Sequence, residues 1–254
     1  MKTQDERKRR LLESMKGGLI VSCQVQHDDP INIASDPNLM PVKMAEAARW
    51  AGAAGLRANS PEQIRAIKEA VPELPVIGLW KVWHEDTDVF ITPTMKEARA
   101  IWEAGAEIIA MDCTKQITHE KTIAWDLLKQ VKEELPDAIT FADVSTLEEA
   151  AHAVENGADI IAPTLYGYTK ETAHIEGADY RMFAEMCRQF KDHAYVMMEG
   201  HIYTPEDAMK CIFLGAHAVV VGSAITRPHL TARRFVDLLS GYQTNWRDAE
   251  RAKH

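Results

Sequence analysis

A short segment that recurs four times along the chain limits its possible folds more than any other feature of the sequence. Each copy has small residues and a glycine followed by an apolar run, and the copies begin at Ala51, Ala104, Asn156 and Leu214. They lie roughly 50 residues apart, which is about the length of two strand–helix units. Each glycine follows a helical pattern, and each apolar run lacks alternation, as a strand buried on both faces does. The repeat therefore predicts regular alternation of helices and buried strands.

Four further strand candidates lie between these copies and end at Gln24, Trp80, Val144 and Gly200. Eight strands that alternate with helices imply a parallel sheet. No obvious edge strand is present and no G-x-G-x-x-G follows the first strand, which favours closure over an open doubly wound sheet. We predict one α/β domain over residues 1–254, a closed (β/α)8 TIM barrel. A polar helix over 1–16 is expected to cover one end, and a polar tail is expected over 241–254.

Charge and composition exclude several classes of partner. The net charge of −9 argues against nucleic acid or an acidic membrane surface, since either would require a basic face. No apolar run is long enough to span a bilayer, and the charged N-terminus lacks the apolar core of a secretory signal. The four cysteines are scattered without a C-x-x-C pair, which indicates a reducing compartment. We expect a cytoplasmic protein whose partner is a small molecule.

Polar residues end the apolar strands, at the barrel face where active sites are built. The set consists of Gln24, Arg57, Lys81, Asp112, Asp143, Thr164, Glu199 and Ser223. Lys81 directly follows VIGLW, and a partly desolvated lysine can have its pKa lowered enough to carry protons. Glu199 ends the apolar strand VMMEG. We predict that Lys81 and Glu199 are catalytic.

The neighbouring strand ends supply candidates for substrate binding. Asp112 and Asp143 hold equivalent places on strands four and five, where either could orient Lys81, bind a hydroxyl or serve as a structural cap. Thr164 and the loop that contains Tyr168 follow strand six as a wall of the pocket. Trp83 is expected to pack or to line the pocket without taking part in chemistry.

The last two strand–helix loops predict a phosphate site. Gly200 and His201 follow strand seven, and Gly222 and Ser223 follow strand eight. Barrels commonly bind phosphate in these two loops, through backbone N–H groups and the start of a short helix. Arg227 can add a charge-assisted contact. Residues 27–29 and 84–88 lack metal-site spacing and are interpreted as solvated loops, so no metal site is predicted.

With these residues assembled, the chain resembles the N-acylmannosamine-6-phosphate 2-epimerase family over about Gly17 to Leu239. The segments that carry the resemblance are GGLIVSCQ at 17–24, GLRANS at 55–60, IGLWK at 77–81, ITPT at 91–94, DVST at 143–146, TLYGYT at 164–169, EGHIYTPE at 199–206 and VGSAITRP at 221–228.

The resemblance implies a barrel of the ribulose-phosphate-binding type that interconverts N-acetylmannosamine 6-phosphate and N-acetylglucosamine 6-phosphate, a step in sialic-acid breakdown. Lys81 and Glu199 match the family's catalytic lysine and glutamate. Positions associated with substrate contact are matched by Gln24, Arg57, Asp143 and Arg227. The C1 aldehyde of the open-chain sugar acidifies the hydrogen at C2, so a base can remove and return it. The resemblance implies neither a metal nor a nicotinamide cofactor.

The chain departs from the family pattern at four positions. Val82 and His201 stand where the family usually has arginine, Tyr166 where it has serine, and Pro163 where it commonly has glycine. Lost guanidiniums and an added phenol are expected to reshape the pocket around the acyl or phosphate group.

Two alternative functions remain open from the sequence. Another sugar-phosphate barrel enzyme, such as a different isomerase or a Schiff-base aldolase, would share the scaffold. The sugar-phosphate decarboxylases are disfavoured because Leu79 and His84 break their D-x-K-x-x-D pattern. A non-catalytic sugar-phosphate sensor is the second alternative, and a homodimer is the expected oligomeric state.

Overall fold

The computed structural model describes residues 2–26, 28–175 and 177–251. The strands in this part of the chain are β1 Leu19–Ser22, β2 Gly55–Asn59, β3 Val76–Leu79, β4 Ile108–Asp112, β5 Ile139–Asp143, β6 Ile160–Ala162, β7 Tyr195–Val196, β8 Met198–Glu199 and β9 Val219–Val221. The helices are α1 Lys2–Ser14, α2 Leu39–Trp50, α3 Pro61–Ala70, α4 Met95–Glu103, α5 Asp126–Glu134, α6 Leu147–Glu155, α7 Tyr180–Phe190, α8 Pro205–Phe213, α9 Ser223–Thr226 and α10 Pro228–Arg251.

The strands form one parallel sheet in the order β7-β6-β5-β4-β3-β2-β1-β9-β8. β7 and β8 are two halves of one barrel strand, interrupted at Met197. The Met197 N–H donates to the carbonyl of Ile161 at 3.0 Å, and the Met198 N–H donates to Ala218 at 3.2 Å. One half therefore pairs with β6 and the other with β9, which closes the sheet on itself. The predicted (β/α)8 barrel is confirmed.

The helices begin and end where local chemistry dictates. Thr146 and Thr204 form capping boxes with Glu149 and Asp207 at the starts of α6 and α8, which satisfies backbone donors that have no partner within the helix. Gly215 follows α8 with a φ of 110°, a conformation that favours glycine after a helix. The strand–helix repeat in the sequence thus coincides with the helix ends of the structure.

The closed barrel has a filled interior. Inward-facing apolar side chains, which include Ile20, Ile77, Phe141 and Val220, pack with the buried Leu12 of α1 and with Met15 directly after it. α1 is anchored at that end because Lys8 Nζ donates to the carbonyls of Pro136 and Ala138 at 2.8 and 2.6 Å. With the amino-terminal end of the barrel covered, the carboxyl ends of the strands are left to form the site.

The C-terminal helix α10 continues through the segment in which the sequence predicted a polar tail. It ends at Arg251, and the tail residues 252–254 lie outside the described part. Every residue from 232 to 241 is exposed, among them the large apolar Phe235, Leu238 and Leu239. Among the helices described, none has both the length and the apolar character that crossing a membrane requires.

Gly78, in the middle of β3, tests the tight packing between the barrel and its helices. A Cβ added there would lie 2.6 Å from Ala106 Cβ and 2.9 Å from Ile64 Cδ1. We expect Gly78→Ala to lower the free energy of unfolding by about 1–3 kcal/mol, because Ala106 Cβ is fixed to the backbone and must move with it. Urea unfolding measures it. Gly241→Ala, where the added Cβ meets no atom within 4 Å, is the control. Equal midpoints for the two variants would contradict the prediction.

Candidate active site

A cavity of about 440 Å³ opens at the carboxyl ends of the strands. It brings together eleven of the predicted site residues: Gln24, Arg57, Lys81, Thr164, Tyr168, Glu199, Gly200, His201, Gly222, Ser223 and Arg227. It also contains Trp83, as expected, and residues that the sequence analysis did not single out, among them Gln26, Phe90 and Tyr203. Asp112 and Asp143 are not in its lining.

Arg57 is buried beneath the cavity and joins two carboxylates. Its Nη1 and Nη2 donate to the two oxygens of Asp143 at 3.0 and 2.8 Å, in a bidentate pair. Nη1 also donates to Glu199 Oε2, and the guanidinium lies 4.9 Å from the ring centroid of Phe141. Asp143 therefore holds Arg57 from below, at a position from which Arg57 can orient Glu199.

Glu199 is a carboxyl group poised to exchange protons near neutral pH. Burial raises its pKa to about 7; the charge of Asp143 acts in the same direction, whereas those of Arg57 and Lys81 oppose the rise. A carboxyl with such a pKa can act as either acid or base at neutral pH.

The pKa of Lys81 is shifted downwards towards neutral pH, whereas that of Glu199 is shifted upwards. The pKa of Lys81 is lowered to about 8, chiefly by burial and also by the positive charges of Arg57 and Arg227, while Glu199 and Asp143 oppose the shift. The Lys81 backbone N–H donates to Asn59 Oδ1 at 2.8 Å, which fixes the residue just after β3. A lysine and a carboxyl in one cavity, both with a pKa near neutral, form an acid–base pair.

A short hairpin after β3 carries Lys81. Lys81 bridges Ile91, and the Val82 N–H donates to the carbonyl of Phe90 at 2.9 Å. Side chains of an extended segment alternate, so Lys81 and Trp83 line the cavity while Val82 does not. The Trp83 and Phe90 rings stack with centroids 5.6 Å apart and planes 7° apart.

The predicted phosphate loops meet at one side of the cavity. Gly200 and His201 have φ values of 100° and 56°, and the short helix α9 begins directly after Gly222. The first amides of a helix lack partners within the helix and can donate to an anion. Ser223 and Arg227 also line the cavity here.

Asp29 orients Arg227 from behind. Its carboxylate lies 3.6 Å from Arg227 Nε and 3.3 Å from His229 Nε2, and its side chain is only 9% exposed. The interpretation of residues 27–29 as a solvated loop is therefore wrong for Asp29, while His27 lies outside the described residues. No sequence signal links Asp29 to a partner almost 200 positions away. The acidic residues of 84–88 are exposed, as expected.

Asp112 does not reach the cavity, so its position does not support the predicted role in substrate binding. Its Oδ1 accepts from the backbone N–H and the hydroxyl of Thr114 at 2.8 and 2.6 Å. Oδ2 is buried without a hydrogen-bond partner among the described residues, and burial raises the pKa of this carboxyl to about 7. This geometry is that of the structural cap which the sequence left open.

The four departures from the family pattern affect the cavity less than the sequence suggested. Of Val82, Pro163, Tyr166 and His201, only His201 lines it in the described part of the chain. The Tyr166 hydroxyl instead donates to Asp179 at 3.1 Å. His201 Nε2 donates to the Tyr166 carbonyl at 3.1 Å, and its ring stacks on that of Tyr168. The expected reshaping is thus confined to one residue of the lining.

The buried carboxyl of Asp112 predicts a pH dependence of stability. Its folded pKa of about 7 lies above the ordinary value near 3.9, so the folded state binds more protons between these values. Its contribution to stability is complete at low pH and is lost as pH rises towards 7. From pH 5 to pH 8, Asp112→Asn should lose less unfolding free energy than the parent protein, by about 2 kcal/mol. Urea titrations at both pH values measure this, and equal losses would contradict it.

The fold and the cavity together define a class: a (β/α)8-barrel enzyme with a lysine–carboxyl acid–base pair and glycine-containing loops suited to a phosphorylated substrate. The family described as "Putative N-acetylmannosamine-6-phosphate epimerase" matches residues 41–240. The chain belongs to this family.

Similar proteins align with this chain over nearly their whole length. Two proteins named "Putative N-acetylmannosamine-6-phosphate 2-epimerase" are similar: one from Caldanaerobacter subterraneus subsp. tengcongensis is 43% identical over 90% of this chain and 94% of its own. The other, from Listeria monocytogenes, is 40% identical over 92% and 96%. The solved N-acetylmannosamine-6-phosphate 2-epimerase from Clostridium perfringens superposes with a TM-score of 0.82 and 37% identity, over 90% of this chain and 96% of that chain.

Proposed function

We propose that this chain interconverts N-acetylmannosamine 6-phosphate and N-acetylglucosamine 6-phosphate by proton removal and return at C2. The observation that carries the proposal is the placement of Lys81 and Glu199 in one cavity, with pKa values of about 8 and about 7. The names and coverage of the relatives support the same substrate.

The phosphate is assigned to the two last loops. Backbone N–H groups after Gly200 and Gly222, the Ser223 hydroxyl and the Arg227 guanidinium can surround a dianion there. Asp29 preorganises Arg227, which reduces the ordering that binding must supply. The remaining end of the open-chain sugar then extends towards Lys81 and Glu199.

Proton transfer at C2 follows from the pair. The lone pair of neutral Lys81 Nζ takes the C2 hydrogen, and the C–H electrons form the C1–C2 double bond of an enolate. The protonated carboxyl of Glu199 can donate to the enolate oxygen, and the Asp143–Arg57 pair holds that carboxyl in place. Return of a proton to the opposite face of C2, from Lys81 or from a second donor, gives the epimer.

Proton NMR in D2O tests the reaction. The parent protein should convert N-acetylmannosamine 6-phosphate into the gluco epimer with deuterium at C2. Lys81→Ala should reduce exchange by about a hundredfold or more, the usual contribution of a general base. Val82→Ala, next to Lys81 but outside the cavity lining, is the matched control and should leave the rate near that of the parent.

Three results would count against the proposal. A parent protein that binds the sugar phosphate but exchanges no C2 hydrogen would favour the sensor. Trapping of substrate on Lys81 by borohydride would favour the Schiff-base aldolase. Full exchange by Lys81→Ala would remove Lys81 from the role of base.

The expected homodimer has a specific basis in α10. A groove of about 410 Å³ lies outside β1 and β9, lined by apolar side chains that include Leu19, Met209, Ile212 and Ile225. In a closed barrel this is the place of the helix that follows the last strand. The apolar residues of α10 are exposed in their own chain. They can therefore fill the same groove of a second copy.

Substitution on α10 tests the dimer. Leu238→Asp combined with Leu239→Asp should convert a dimer into a monomer, since burying either charge in the groove is costly. Sedimentation velocity measures the mass, and Asp237→Ala, at an exposed position beside them, is the control. A monomeric parent protein, or a double variant that stays dimeric, would refute this arrangement.

We also propose the cytoplasm as the location. All four cysteines are free and buried, which suits a reducing compartment.

A further inference from the structure

The stacked rings of Trp83 and Phe90 form an apolar wall of the cavity that the proton chemistry does not use. Phe90 is partly buried, whereas Trp83 is 61% exposed and rests on the Phe90 ring. Leu79 and Ile91 continue this wall beneath them, and both line the cavity. An exposed tryptophan held in a stack beside a reactive lysine calls for an apolar ligand group.

The position of Lys81 limits which part of the substrate can reach this wall. Lys81 Nζ lies 6.0 Å from the centroid of the Phe90 ring. A base must approach the C2 hydrogen closely, with reacting atoms about 3–3.5 Å apart. In an N-acyl amino sugar the first acyl carbon beyond the carbonyl lies about 3.8 Å from C2, as consecutive Cα atoms do across a trans peptide. The acyl group is therefore confined to the surroundings of Lys81, within reach of Phe90.

The other substituents of C2 have better places elsewhere. The chain from C3 onwards leads to the phosphate, assigned to the loops after β8 and β9. The C1 oxygen, which gains negative charge, requires the polar groups of Glu199 and Arg57. The third and seventh barrel strands are opposite each other, so Lys81 faces Glu199 across the cavity. This leaves the acyl group, the one apolar part of the substrate, on the Lys81 side.

We propose that the Trp83–Phe90 pair is the subsite for the N-acyl group and sets the length of acyl chain accepted, an inference that rests on the proposed function. The planar amide lies against the aromatic faces, and the acyl methyl is shielded from water by the Phe90 ring. The hairpin holds both rings at a fixed distance from Lys81, through the Val82–Phe90 and Thr92–Trp80 backbone hydrogen bonds. A longer acyl chain would have to displace Phe90.

A series of acyl lengths tests the subsite by binding as well as by turnover. The probes are mannosamine 6-phosphates that carry an N-acetyl or an N-butanoyl group. Phe90→Ala opens the wall and should raise the butanoyl-to-acetyl ratio of affinities and of kcat/KM by about tenfold, since each buried methylene is worth about fourfold. Trp83→Ala should weaken binding of the N-acetyl compound by about tenfold, mostly through KM, and should not unfold a protein in which this ring is largely exposed.

Val82→Ala on the same hairpin is the matched control, and its ratio should equal that of the parent. Tyr168→Ala probes the aromatic pair on the opposite wall. If Tyr168→Ala changes the butanoyl-to-acetyl ratio and Phe90→Ala leaves it within about twofold of the parent, the acyl subsite is not at Trp83–Phe90. Calorimetric affinities distinguish failure of the acyl subsite from failure of the proposed function. If Phe90→Ala shifts the binding ratio but the parent protein exchanges no C2 hydrogen, the subsite stands and the epimerase activity is rejected.

Discussion

The buried Arg57 guanidinium, held by Asp143 and shared with Glu199, is the interaction on which the rest of the site depends. A buried cation is costly unless it is paired and hydrogen-bonded, and the bidentate Asp143 contact provides that compensation. The same charge acts on both groups of the acid–base pair. It lowers the pKa of Lys81 and limits the rise that burial imposes on Glu199. One residue in the middle of β2 thus influences the protonation of two groups on opposite sides of the barrel.

This arrangement requires a barrel that is closed and filled. Phe141 supports the guanidinium from below, and the side chains beneath it are packed against α1 at the far end. Burial is accordingly the leading cause of the pKa shifts of both Lys81 and Glu199. The split seventh strand contributes directly, because β8 pairs with β9 and presents Glu199 at the rim.

The sequence was sufficient to predict the repeated strand–helix units and the polar residues at the ends of the strands. Buried apolar runs and glycine stops predicted the barrel, and polar residues at the strand ends predicted Lys81, Glu199 and Arg57 within one cavity. It could not separate Asp112 from Asp143, which pair in register on β4 and β5 and both end their strands. Their roles differ because Arg57 donates hydrogen bonds to Asp143, whereas Thr114 donates to Asp112. Asp29 escaped prediction for a related reason, since its partners come from the far end of the chain.

The hairpin after β3 makes the proposed base and the proposed acyl subsite mechanically inseparable. Lys81 and Trp83 are two residues apart in an extended segment, so both must face the cavity while Val82 faces away. This alternation explains how valine can stand where the family usually has arginine without changing the lining. A one-residue slip of the hairpin would turn Lys81 and Trp83 out of the cavity together. The backbone hydrogen bonds that pair Val82 with Phe90 and Trp80 with Thr92 oppose that slip, and therefore position Lys81 and the aromatic wall as one unit.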